Sequence, residues 1–177
     1  MDRFSVRNNL HHLTNQNDCS RSTRTRIWQV FAKKHVWGYS ERKVYYDVVE
    51  EILSYFGFEY YMKTSPFDHE KNINMLSHFI INDSEWYNVY DFIELFIDYC
   101  KSLEESESRE VIQEFNKILS DEKTGYHIID GLVIAITNEQ EVSTIETTLS
   151  SCPAHVAASV KKALRLFSDK VSPDYNN

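Results

Sequence analysis

Apolar residues recur at helical spacing along almost the whole chain, and this period changes only once. The longest helical stripe lies near the middle and contains Trp86, Val89, Tyr90, Ile93, Phe96, Ile97 and Cys100. Two β-rich runs, 126–129 and 132–136, flank Asp130-Gly131, a strong signal for a two-residue hairpin turn. A two-stranded hairpin is not stable alone, so it must pack on the helices. The pattern therefore predicts a mainly helical α+β fold, with about seven helices and one antiparallel hairpin.

The helix boundaries follow from caps and from the ends of the apolar stripes. Before the hairpin we expect helices over about 23–35, between Ser40 and Gly57, over about 69–82, from Ser84 to Cys100, and after a polar loop at 104–108. After the hairpin, Thr137 or Asn138 caps a further helix, and Pro153 fits the first turn of the last one. Only four glycines and three prolines are present, which agrees with a chain dominated by helices.

The predicted central helix carries three carboxylates on the side away from its apolar stripe: Asp91, Glu94 and Asp98. Their spacing of i, i+3 and i+7 places them along one face of the helix. A charged face of this kind is usually solvated, so we expect these side chains to be exposed. The alternatives are binding of a divalent cation or contact with a basic partner.

Charge is distributed unevenly along the 177 residues, whose net charge is −8. A basic head, residues 1–43, carries nine basic and three acidic residues, and an acidic body, 44–122, carries five and eighteen. The negative total argues against attraction of the whole molecule to nucleic acid. We expect the acidic body to attract four cations of the head: Arg24, Arg26, Lys33 and Lys34. The alternative is that these four bind nucleic acid, with Trp28 and Trp37 as stacking surfaces.

The cysteines and the N-terminus bear on the cellular compartment. The chain has an odd number of cysteines, namely Cys19, Cys100 and Cys152. Its N-terminus lacks the basic segment followed by an apolar segment that is typical of a secretion signal. A reducing, cytoplasmic location is therefore expected. No stretch approaches 18 uninterrupted apolar residues, so we expect no membrane contact.

Residues with the spacing of a metal site or of an activated nucleophile do not stand out. The closest ligand pair is Cys152 and His155, and it has no second pair nearby in sequence. The four glycines are too scattered for a phosphate-binding loop, and no Ser or Cys lies in a nucleophile elbow. We expect neither a metal nor a cofactor.

Several stretches of the chain together form a recognisable pattern. They are Phe4-Ser5-Val6-Arg7-Asn8, Arg26-Ile27-Trp28, Glu85-Trp86 with Tyr90-Asp91-Phe92-Ile93-Glu94, and Phe115-Asn116-Lys117-Ile118-Leu119 with Gly125-Tyr126 and Asp130-Gly131. A final stretch from Ala163 to Tyr175 also fits. This pattern resembles the N-terminal domain, in its fourth type, of the abortive-infection protein AbiJ.

The resemblance implies a bacterial anti-phage system in which such a module precedes an effector, often a ribonuclease of the HEPN class. We expect one domain over 1–177, with the hairpin and two C-terminal helices in 123–170 and no effector domain. The implied partners are an effector domain or protein and a phage-derived signal. Because the effector would follow directly, the expected contact lies at the end of the last helix, at Lys161, Lys162, Arg165 and Tyr175.

The enzyme alternative depends on Arg7 and His12, which have the Arg–His spacing of HEPN ribonucleases. The arginine would hold phosphate, and the histidine would move the 2′-hydroxyl proton. With eight arginines and seven histidines in the chain, about one such spacing arises by chance, and one is present. We therefore favour a non-catalytic sensing and interaction module.

Overall fold

The computed structural model describes residues 4, 19–35, 42–58, 69–135, 144–145, 147–149 and 151–168. The helices in this part are α1 (Arg21–His35), α2 (Arg42–Tyr55), α3 (His69–His78), a π-helical turn (Phe79–Asp83), α4 (Trp86–Leu103), α5 (Glu105–Asp121) and α6 (Ala154–Ser168). Strands β1 (Tyr126–Ile129) and β2 (Leu132–Ala135) form a two-stranded antiparallel sheet. The predicted class, mainly helical α+β with one hairpin, is confirmed.

Helix α4 forms the centre of the core. Eleven of its residues are buried, and α1, α2, α5 and β2 all pack against it. Aromatic rings connect these layers: the ring of Phe31 lies 5.3 Å from that of Phe92 and 5.0 Å from that of Phe96. Buried aromatic pairs at such distances stabilise a core beyond the area that they bury. The apolar stripe predicted from the sequence is therefore the main packing surface.

The polar loop predicted at 104–108 is wrong. Helix α5 begins at Glu105, and Glu104 alone, with φ −157° and ψ 134°, separates it from α4. Glu105 and Glu107 lie in the first turn of α5, where the helix dipole favours negative charge. The hydroxyl of the buried Ser108 donates to the Glu105 carbonyl at 2.9 Å. The acidic stretch therefore starts a helix.

The hairpin turns where the sequence predicts. Asp130 and Gly131 have φ values of +54° and +84°, as a type I′ turn requires. Ile128 lies opposite Val133, and both side chains are buried. Strand β1 packs against α5, and β2 packs against α4. The hairpin is thus supported by the helices, as its small size demands.

The last part of the chain is described in pieces. The helix predicted after Thr137 or Asn138 lies largely outside the described residues, although Ile145 and Leu149 are helical. Helix α6 begins directly after Pro153, whose carbonyl accepts from the amide of Ala157 at 3.0 Å. Within the described ranges, none of the helices combines the length and the apolar character needed to cross a membrane.

Candidate functional site

One contact between α6 and the rest of the protein lies at the hairpin turn. Lys101, on α4, donates from Nζ to the backbone carbonyl of Asp130 at 2.7 Å. Lys161, on α6, donates from Nζ to the Asp130 carboxylate, also at 2.7 Å. Asp130 therefore connects α4, the hairpin and α6. The side chains of Lys161 and Asp130 are 41% and 21% exposed, so salt screens their attraction.

Gly131 allows the turn to approach α4 closely. A Cβ atom at this position would lie 2.6 Å from Lys101 Nζ and 3.2 Å from Ile97 Cγ2. The residue also has φ +84°, which side chains other than that of glycine rarely adopt. The positive φ therefore favours glycine here, and a larger residue would also displace the Lys101 ammonium and crowd Ile97.

Polar side chains from two helices close the outer edges of the hairpin. Asn116, on α5, accepts from the Ile128 amide at 2.7 Å and donates to the Ile128 carbonyl at 2.9 Å. Glu94, on α4, accepts from the Val133 amide at 2.8 Å through Oε1 and from the Phe4 amide at 3.1 Å through Oε2. Open strand edges tend to pair with other chains. The amide and carbonyl of Ile128 and the amide of Val133 are therefore paired within the protein.

The prediction that the carboxylates of α4 are solvated is wrong for two of the three. Asp91 and Glu94 are each 1% exposed, and Asp98 alone is exposed. A signal for this burial is present in the sequence. Phe92 and Leu95 extend the apolar surface of α4 beyond the stripe, and a helix with a wider apolar surface is usually covered on more than one side.

Three of the four cations expected near the acidic body pair with carboxylates of α5 or of the residue that follows it. The two helices run antiparallel, and the pairs are Arg26 with Asp121 and Glu122, Lys33 with Glu114, and Lys34 with Glu110. Hydrogen bonds from Arg26 lower the pKa of both Asp121 and Glu122, and a hydrogen bond from Lys34 lowers that of Glu110. The expected attraction between head and body is confirmed for Arg26, Lys33 and Lys34.

The fourth cation, Arg24, is buried and only 8% exposed. Its guanidinium donates to the carbonyls of Cys19, Ile80 and Ser84 at 3.0, 3.2 and 2.7 Å, and to the Ser84 hydroxyl at 3.0 Å. Ile80 lies in the π-helical turn, and Ser84 directly follows it. The carbonyls at the C-terminal end of a helix attract a cation. Arg24 thus contacts the acidic body through neutral groups.

The remaining predicted site residues fall at the two ends of the chain. Arg7, His12 and Tyr175 lie outside the described residues. Lys161, Lys162 and Arg165 are all on α6, where Lys161 pairs with Asp130 and Lys162 is exposed. The structure therefore connects one predicted partner residue, Lys161, to a feature that the sequence reasoning did not link to it, the hairpin turn.

Thiols and imidazoles are the side chains best suited to metal binding or nucleophilic attack. Among those residues, no group of three or more His, Cys, Asp or Glu is placed to hold a metal ion. Cys152 is half-buried just before α6, and His155 is exposed. Cys100 is fully buried, and this burial raises the pKa of its thiol to about 12. A thiol that stays protonated is a poor nucleophile.

Comparison with known proteins identifies the family. The model of the family described as AbiJ N-terminal domain 4 matches residues 2–151, while no curated protein and no solved structure matches the chain. The matched stretch includes α4, α5 and the hairpin. Helix α6 and the stretch 163–175, which the sequence resemblance included, follow it. Because the match covers well over half of the residues, the chain belongs to the AbiJ N-terminal domain 4 family and is thereby associated with abortive infection.

Proposed function

We propose that this domain is a non-catalytic interaction module of an abortive-infection system and that it controls an effector through contacts made by α6. The observation that carries the proposal is the incomplete burial of this helix. Its apolar residues share one face and are each only partly buried: Val156, Val160, Ala163 and Leu164. An amphipathic helix of this kind can bury its apolar face in a groove of a second protein.

The use of the buried and partly buried polar groups supports a non-catalytic role. Glu94 and Asn116 close the edges of the hairpin, and Arg24 binds the carbonyls at the end of the π-helical turn. Cys100 is held as a protonated thiol by burial. Catalysis of RNA cleavage requires a base, an acid and a pocket that holds both near the substrate. Glu94, Asn116 and Arg24 instead form hydrogen bonds that hold the fold together.

A phage-challenge assay in cells that carry the complete defence system tests this proposal. Leu164→Glu places a charge on the apolar face of α6, and we expect it to abolish protection because a charged side chain disfavours an apolar interface. The matched control is Ser159→Glu, on the exposed side of the same helix, which should protect normally. Both purified variants must retain the wild-type melting temperature. Full protection by Leu164→Glu would contradict the proposal.

The enzyme alternative has its own test. The purified chain is incubated with total RNA, with and without divalent metal, beside the double variant Arg7→Ala/His12→Ala. We expect no cleavage by either protein. Cleavage by the wild type that the double variant lacks would replace the interaction module with a ribonuclease.

The nucleic-acid alternative predicts salt-dependent retention of the chain on RNA or DNA columns. We expect weak retention, because Arg26, Lys33 and Lys34 already pair with carboxylates of the same chain. Strong retention that Arg26→Glu abolishes without loss of stability would favour a nucleic-acid-binding module.

A further inference from the structure

We propose that α6 is a basic recognition helix that binds an acidic, apolar groove of a partner protein. In the free domain, the Lys161–Asp130 ion pair, here called the latch, holds α6 against the hairpin turn. This inference rests on the proposed function and extends it in two ways. It names the chemistry of the partner surface, and it names the contact that is exchanged when the partner binds.

The charge of α6 differs from that of the whole chain. Its sequence contains Lys161, Lys162 and Arg165 but no acidic residue, whereas the net charge of the chain is −8. Lys161 is matched by Asp130, but Lys162 is exposed, and within the described part of the chain no carboxylate pairs with it. Complementary charge directs which surfaces associate. A groove that offers carboxylates beside an apolar floor complements this helix.

The net charge of the chain favours a protein partner over a lipid surface. Helices that bind at a membrane interface carry residues such as Trp, Phe and Leu opposite basic residues, and α6 also contains Leu164, Leu166 and Phe167. An anionic membrane, however, repels a chain whose net charge is −8, whereas a protein groove can present carboxylates to the basic residues of α6 alone. We therefore assign the helix to a protein groove and treat lipid as an outcome of the test.

The two halves of the latch are held differently. Asp130 is fixed, because its carbonyl accepts from Lys101 and the strand that follows the turn, β2, packs against α4. Lys161 is carried by α6, of which no described side chain is fully buried. The pair is partly exposed, so it contributes little to stability and is weakened by salt. A carboxylate of the partner can therefore replace Asp130 as the acceptor of Lys161.

Hydrogen exchange of the 177-residue chain, measured by mass spectrometry, tests the latch without any partner. Asp130→Asn removes the charge and keeps the turn, because asparagine also tolerates positive φ. We expect the amides of α6 to exchange about two- to fivefold faster than in the wild type at low salt, with the hairpin and α4 unchanged. Lys161→Gln should produce the same increase, and combining both changes should add nothing further.

High salt provides an independent check. Wild-type α6 in about 0.5 M salt should exchange as fast as the two variants, because the ion pair is screened. Equal exchange of α6 in the wild type and in both variants at low salt would overturn the latch.

The negative charge expected on the partner surface is tested by replacing Lys162. This replacement breaks no ion pair among the described residues. In the phage-challenge assay we expect Lys162→Glu to reduce protection about tenfold and Lys162→Arg to preserve it. The matched control is Lys71→Glu, an exposed lysine on α3, which should protect normally. Normal protection by Lys162→Glu would overturn the acidic partner.

The outcomes separate this inference from the proposed function. If Leu164→Glu abolishes protection but Lys162→Glu does not, the interaction module stands and the acidic groove is refuted. If the chain binds vesicles containing phosphatidylserine and Lys162→Glu abolishes that binding, the partner of α6 is a membrane and the protein groove is refuted.

Discussion

Ile128 and Val133 face each other across the hairpin, and each gives its backbone N–H to a side chain of a different helix. Ile128 donates to Asn116 of α5, and Val133 donates to Glu94 of α4. In an antiparallel ladder such outward groups could otherwise pair with a further strand. The hairpin is therefore held between two helices by polar contacts as well as by apolar packing.

Replacing Glu94 with Gln should destabilise the fold. The two carboxylate oxygens accept from the amides of Val133 and Phe4, and a glutamine would direct its NH₂ group toward one of these donors. We expect the free energy of unfolding to fall by about 1.5–3 kcal/mol, measured by urea denaturation. Glu51→Gln, at an exposed position of α2, should have no effect. Equal midpoints for the two variants would show that Glu94 does not stabilise the hairpin.

Asn116→Asp tests the other edge of the hairpin. An aspartate would still accept from the Ile128 amide, but its second oxygen would face the Ile128 carbonyl, to which Asn116 donates. We expect a loss of about 1–3 kcal/mol in the free energy of unfolding at neutral pH. The control is Asn74→Asp, an exposed asparagine on α3. A variant as stable as this control would rule out the two-bond contact.

Two glycine substitutions separate backbone strain from steric contact. Gly57 and Gly131 have nearly equal φ values, +82° and +84°, but an added Cβ would meet nothing within 4 Å at Gly57. Gly57→Ala should therefore cost about 1–2 kcal/mol through strain alone. Gly131→Ala should cost more, because Lys101 would have to give up the Asp130 carbonyl to make room. The measurement is the free energy of unfolding by thermal denaturation. Equal losses for the two variants would show that the contact between Lys101 and the turn adds nothing to the cost at Gly131.

The contact between α1 and α5 should weaken in acid. Arg26 holds the pKa of Asp121 and of Glu122 below their ordinary values of 3.8 and 4.5. A carboxyl whose pKa is lowered by folding adds stability above its unfolded pKa, and this stability is lost as the pH falls through the folded pKa. The contribution is thus complete at neutral pH and declines below about pH 4.5.

Arg26→Gln should accordingly lower stability at pH 7 and make the loss of stability in acid shallower. The measurement is the urea midpoint as a function of pH at low salt, where screening is weakest. Arg21→Gln, an exposed arginine on the same helix, should keep the wild-type pH profile. If the urea midpoint of the Arg26 variant falls in acid as steeply as that of the wild type, Arg26 does not stabilise the contact through Asp121 and Glu122.

The thiols should react in a defined order. Cys19 and Cys100 are 1% and 0% exposed, whereas Cys152 is half-buried. Burial also raises the pKa of Cys100 to about 12, which suppresses its reactive thiolate. At pH 8 we expect a thiol reagent to label Cys152 first in the native protein and all three cysteines in denaturant. Peptide mapping that finds Cys100 labelled at the same rate as Cys152 would contradict the burial of Cys100 in the core.

The features that could be predicted from the sequence depend on neighbouring residues. The stripe from Trp86 to Cys100 marks the core helix because apolar residues recur once per turn. Asp130-Gly131 marks the hairpin turn because few other residue pairs adopt positive φ twice in succession. The start of α5 was harder to predict, since a short acidic stretch is typical both of a loop and of a first helical turn.

The order of residues is therefore enough to predict the fold class, the central helix, the hairpin turn and the attraction between the basic head and the acidic body. Three contacts become visible only in the folded protein: Glu94 is buried against Val133, Arg24 binds carbonyls, and Lys161 reaches Asp130. The reason is physical. Periodicity depends on residues within a few turns, whereas the environment of a polar side chain depends on distant segments that pack around it.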